Sequence, residues 1–194
     1  MTRRSRCVRA PTALVISVSL ATVVAACSTD LAEDAARSPA STTAAATSPE
    51  LDGSSSPPWP APADVAARAA SAGLDLGPMG TAEHYHPHLR IIMNGRDVPV
   101  PANIGVDPAT GAMSAVHTHE TDGTIHIEAD RAGEVFTLGH LFVPWGVKLT
   151  PTQIGGVHTQ DGQNMTVTSN GRPVAGHPMD LRLQPDQNIV IRLP

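Results

Sequence analysis

His117, His119, His126 and Glu128, three imidazoles and a carboxylate, fall at matching strand parity within twelve residues, 117–128, which read His-Thr-His-Glu-Thr-Asp-Gly-Thr-Ile-His-Ile-Glu. Neutral imidazoles with a carboxylate make a nitrogen and oxygen donor set that suits Zn(II) or Cu(II), and sequence does not choose between the two. Asp122-Gly123 lies between runs of β-formers and predicts a two-residue type I′ hairpin turn, whose central positions both need positive φ. In that register Thr121 faces Thr124, His119 faces His126 and His117 faces Glu128. Strand side chains alternate faces, so His117, His119, His126 and Glu128 emerge on one side. Opposed Cβ atoms lie ~4.5–5.5 Å apart, close enough for two imidazoles to reach one ion. A three-residue loop with a bulge would instead send His126 and Glu128 to the other face. The competing reading is a solvated polar sheet face.

A second histidine set precedes the first. His84, His86 and His88 alternate in Glu83-His84-Tyr85-His86-Pro87-His88 and share a face in extended chain, opposite Leu89 and Ile91. Pro87 lacks an amide donor and suits an edge strand or the mouth of a strand. These three form a second site, complete the first if the segments are sheet neighbours, or are a polar lead-in to the next strand. His140, His158 and His177 read as solvated or capping residues. Met93 and Met165 look like core and the other methionines are dispersed, which argues against a methionine-rich cuprous site.

The elements that must position these residues are mainly hairpins. Leu89 to Val100 carries an Asn94-Gly95 turn, which places Leu89, Ile91 and Met93 on one apolar face with Val98 and Val100. The pattern recurs from Met165 to Val174 around Asn170-Gly171. Thr137 predicts the N-cap of a short helix in which Leu138, Leu141, Phe142 and Trp145 share a face, and Pro144 should end or kink it. Asn188 to Leu193 reads as a half-buried closing strand with Ile189, Ile191 and Leu193 inward. The expected fold class is α+β: a small, mostly β domain of hairpins with one short helix, β-grasp-like by analogy. It spans residues 81–194, preceded by a short helix or lead-in over 64–80, with Asp64 as N-cap and Gly73 as stop.

The first 26 residues read as a lipoprotein signal peptide. Arg3, Arg4, Arg6 and Arg9 precede an apolar run from about Ala13 to Val24, too short for a confident transmembrane span. Val24-Ala25-Ala26-Cys27 resembles the bacterial lipobox, in which the signal is cut and Cys27 is acylated. Cys7 leaves with the signal, so the mature chain keeps no thiol for disulfides, cysteine-based zinc or thiol catalysis. Residues 27–63 are rich in Ala, Ser, Thr and Pro and should form a flexible tether, with Trp59 its one large aromatic. Residues 81–194 hold seven Lys or Arg against eleven Asp or Glu, scattered and without a basic stripe, which argues against a nucleic-acid partner.

From about Glu83 to Leu193 the chain resembles a family of exported, mostly uncharacterised bacterial proteins common in actinobacteria. The likeness rests on the Glu83–His88 segment, Val100-Pro101-Ala102-Asn103-Ile104-Gly105, the block from His117-Thr118-His119 to Gly123-x-Ile125-His126-Ile127-Glu128, Phe136-Thr137-Leu138-Gly139 with Trp145-Gly146, Asn170-Gly171 and the closing strand. Glu120 stands where relatives usually have Asp, His140 where they tend toward Gln, and Pro144 at an often acidic position. The departures leave the four hairpin candidates untouched and weaken any role for His140. The resemblance implies export and architecture and adds little on chemistry.

Three functions compete. The first is a membrane-anchored, extracytoplasmic lipoprotein that captures or buffers Cu(II) or Zn(II), its partners being the membrane and the ion. The second is a hydrolase or oxygenase using the same metal, although no Gly-x-Ser-x-Gly or His-Glu-x-x-His motif stands beside it. The third is a metal-free envelope adhesion or scaffold module.

Overall fold

Asn94 and Gly95 have φ of 50° and 74°, and Asn170 and Gly171 have 48° and 77°, so both Asn-Gly pairs form the tight turns their sequence predicts. The computed structural model describes residues 48–160 and 163–194. The expected signal peptide, Cys27 and the tether as far as residue 47 lie outside these. In chain order the elements are α1 (Val65–Ser71), β1 (Glu83–Tyr85), β2 (His88–Met93), β3 (Arg96–Val98), β4 (Val116–His117) and β5 (His126–Ala129). There follow α2 (Gly139–Trp145), β6 (Leu149–Thr150), β7 (Gln153–Ile154), β8 (Val157–His158), β9 (Thr166–Ser169), β10 (Arg172–Pro173), a 3-10 turn (Pro178–Asp180) and β11 (Asn188–Leu193). This is the small, mostly β, α+β domain expected, with two short helices where the sequence suggested one and a lead-in. Among the described residues no helix is long and apolar enough to cross a membrane.

The largest sheet runs β10-β9-β11-β2-β3. Its central pair, β11 and β2, is parallel, with Ile189 opposite Leu89 and Ile191 opposite Ile91, and each belongs to an antiparallel pair on its outer side. The β2-β3 and β9-β10 hairpins are thus joined through β11, with α2 in the chain between them. Met93 pairs with Arg96 and Ile91 with Val98, the register required by a two-residue turn. Ile91, Ile189 and Ile191 are wholly buried and join Leu138, Leu141, Phe142 and Trp145 in one core.

Helix α2 departs from expectation at both ends. Leu138, not Thr137, holds the N-cap position, and the Thr137 backbone N–H instead donates to Nδ1 of His140 at 2.9 Å. His140 thereby ties the chain before the helix to its first turn, and no side chain caps the helix itself. Pro144 is accommodated inside the last turn, and Gly146, at φ 77°, ends the helix. Asp64 occupies the N-cap position of α1 but caps nothing with its side chain; it holds Arg68 Nε at 2.7 Å instead.

Trp59 is the chief correction to the domain plan. Read as a stray aromatic in a tether, it is 3% exposed and part of the core. Its ring meets Trp145 edge-on, the centroids 6.0 Å apart, and its carbonyl accepts from Trp145 Nε1 at 3.2 Å. Nearby, Asp52 exchanges backbone hydrogen bonds with Gly146 and Lys148, and Gly156 N–H donates to Ser55. The packed domain therefore starts near residue 51, well before the boundary at 81.

Candidate metal centre

A second, three-stranded sheet with the order β1-β5-β4 carries the histidines. Strand β5 is central. His84 pairs with Glu128 across one edge and His117 with His126 across the other, so the two histidine segments are sheet neighbours on either side of the same strand. Because alternate side chains share a face, His84, His86, His126, Glu128, His117 and His119 gather on one face. Val116, Ile127 and Ala129 point the other way and are completely buried.

The register differs from the type I′ hairpin expected. His117 faces His126, not Glu128, which lengthens the connection to residues 118–125. A shift of two residues keeps every side chain on its face, so the histidine set survives. Tertiary docking explains the shift. Gly123, at φ 94°, lies against β2, where a Cβ would come within 2.1 Å of the Leu89 carbonyl oxygen. Its own carbonyl accepts from Leu89 N–H at 2.8 Å, and Ile125 N–H donates to Pro87. Asp122 has no positive φ and instead accepts from Thr124 N–H at 2.8 Å. The glycine serves close backbone approach rather than a two-residue turn.

His88 is the one candidate the structure leaves out. The chain turns at the buried Pro87, and His88 opens β2 in the other sheet, bridged to Thr124. Side chains alternate faces only along unbroken extended chain, and Pro87 breaks it.

The remaining imidazoles form two triads: His84, His86 and His126, and His117, His119 and His126, each with one ring nitrogen per residue within 4.8 Å of the others. His84 Nε2 lies 3.0 Å from His86 Nε2, and His117 Nε2 lies 3.1 Å from His119 Nε2. Two nitrogens at such distances need a proton or a cation between their lone pairs. Two ligands on a zinc with bonds of about 2.0–2.1 Å are ~3.3 Å apart in a tetrahedron, and ~2.9 Å apart at a right angle. The observed spacings fall between these values.

His117 is fully buried, and its Nδ1 donates to the Ser114 carbonyl at 2.9 Å, which leaves Nε2 as a bare acceptor aimed at the cluster. Burial pushes its pKa down to about 4, so it is neutral at neutral pH; the Ser114 bond opposes the shift and the neighbouring imidazoles add to it. Burial followed by repulsion from His126 and His84 also lowers His86. Glu128 is 4% exposed, with Oε1 3.3 Å from His84 Nε2 and Oε2 3.8 Å from His117 Nε2. With His117 neutral and its proton on Nδ1, the second contact joins two acceptors. Among the described residues Glu128 Oε2 accepts no hydrogen bond. Buried polar atoms nearly always have partners, and 3.8 Å is shorter than the ~4.1 Å sum of one metal–nitrogen and one metal–oxygen bond. A single cation between them would satisfy both.

Sequence reasoning missed two contributors. Glu120, exposed in the 118–125 connection, places Oε2 3.3 Å from His126 Nε2; strand alternation sets it on the opposite face, but the connection is not a strand and frees it to turn back. Ser114 acts through its backbone carbonyl, which no residue type announces. The other histidines lie outside the cluster: His140 Nδ1 accepts from Thr137 N–H just before α2, His177 Nδ1 accepts from Met179 N–H at the 3-10 turn, and His158 is exposed. Comparisons with protein families, curated proteins and solved structures find no significant match to this chain. Its chemistry therefore rests on its own geometry.

Proposed function

We propose that the protein is a membrane-anchored, extracytoplasmic lipoprotein that captures or buffers Zn(II) or Cu(II) on the imidazole face of its small sheet. The observation that carries the reading is the buried Glu128 oxygen without a hydrogen bond, facing the bare Nε2 of His117. Four further imidazoles, His84, His86, His119 and His126, lie around that pair, and among the described residues no thiol competes. The export and anchoring parts rest on the arginine-rich, apolar amino terminus ending in Ala25-Ala26-Cys27. The acidic balance of residues 81–194 suits a cation and disfavours nucleic acid.

The test is metal analysis of chain purified without a polyhistidine tag, then titration with Zn(II) and Cu(II). Wild-type protein should retain stoichiometric metal through dialysis. His119→Ala combined with His126→Ala should abolish tight binding with the circular dichroism spectrum unchanged. Unaltered stoichiometry and affinity in that double variant would remove this face from the mechanism.

A further inference from the structure

We propose that the imidazole face holds two cations side by side: an inner one on His117 and His119, and an outer one on His84 and His86, with Glu128 bridging and His126 within reach of either but ligating one at a time. This deepens the metal-binding reading and rests on it. Both triads contain His126, yet they do not fuse into one group within 4.8 Å. Ligands of a single ion with bonds of about 2.0–2.1 Å are at most ~4.2 Å apart, so one ion cannot take all five imidazoles. Glu128 touches each triad through one member and a different oxygen, Oε1 toward His84 and Oε2 toward His117. That is the posture of a bridging carboxylate, which suits two metals ~3.5–4 Å apart.

The positions are unequal. His117 is buried and oriented by Ser114, whereas His84 and His86 are exposed and no backbone group fixes their rings among the hydrogen bonds of the described residues. A pre-oriented ligand loses less freedom on binding, so the inner position binds more tightly. Repulsion between neighbouring dications further weakens the outer one. The outer group thus works as an exposed landing point beside a retained ion, with Glu128 common to both and His126 able to turn to either.

The experiment is calorimetric titration of the full chain with Zn(II), paired with electron paramagnetic resonance of the Cu(II)-loaded protein. Wild type should take two ions with affinities separated by on the order of tenfold or more, and its two Cu(II) ions should give a half-field transition. His84→Ala with His86→Ala, both at exposed positions, should leave one ion at the tighter affinity and erase the half-field signal. His119→Ala, also exposed, should weaken the tighter ion and spare the other, which keeps the test independent of any folding defect at buried His117. One ion per chain, weakened alike by both sets of substitutions, would overturn the two-position arrangement and leave the metal-binding reading standing. No bound ion at all would overturn both.

Discussion

His117 has exchanged water for the carbonyl of Ser114, and that exchange sets its behaviour. Its folded pKa, near 4, lies below the ordinary histidine value of 6.5, so between those values the unfolded chain binds a proton that the folded chain refuses. Stability therefore rises with pH through this window: the contribution is complete above about pH 6.5 and is lost as pH falls toward 4. Metal-free protein should show a falling urea midpoint between pH 7 and pH 5, with the fall reduced in His117→Gln; a flat midpoint in wild type would refute the assignment. Metal affinity should fall in acid, because coordination needs unprotonated rings. Glu128→Gln tests the other half of the buried acceptor pair. It removes the charge while keeping the shape, so the variant should lose metal affinity by roughly 10- to 100-fold with its metal-free thermal midpoint undiminished. A large loss of metal-free stability would mean that Glu128 holds the fold rather than an ion.

At the scale of elements, the histidine face depends on docking of the 118–125 connection against β2. Gly123→Ala places a methyl group against the Leu89 carbonyl at a backbone angle that L-residues resist. It should cost about 1–3 kcal/mol and weaken metal binding, whereas Gly171→Ala, at a turn with open space around it, should cost less and leave binding unchanged. Equal binding losses in the two variants would contradict a specific role for the connection. Legibility in the sequence divides along the same line. Asn94-Gly95, Asn170-Gly171 and the alternating closing strand were readable because turn chemistry and side-chain alternation are local. Asp122-Gly123 looked the same and behaved differently, because Leu89 lies 34 residues upstream of Gly123 and no local pattern reports that approach. Alternation also assigned His117, His119, His126 and Glu128 to one face even though the register slipped, since two residues is a full period. It failed at His88, where Pro87 bends the strand into another sheet.

For the whole molecule, Trp59 joins the segment before α1 to the core. Its indole packs against Trp145 and over Gly155, where a Cβ would come within 2.5 Å of the ring nitrogen. Trp59→Ala should destabilise the protein by about 3–5 kcal/mol, and a fragment beginning at residue 64 should melt well below one beginning at residue 48. Equal melting of the two fragments would return Trp59 to the tether. The sequence hid this role because a Pro- and Ser-rich neighbourhood looks the same whether or not its single tryptophan has a pocket elsewhere to fill. The tail's packing and the sheet's histidine face belong to one folded unit, so bound metal should stabilise all of it. At one hundred times the dissociation constant the gain is about 2.7 kcal/mol, seen as a raised thermal midpoint that chelation reverses.

The most direct test of the central claim is X-ray absorption at the metal edge of protein loaded with one equivalent of Zn(II) or Cu(II). Convergent imidazoles predict a nitrogen and oxygen shell at about 2.0–2.1 Å with the outer-shell scattering of at least two histidine rings, lost when His117 and His126 are replaced together. An oxygen-only shell without imidazole scattering, or a spectrum indifferent to those substitutions, would contradict it.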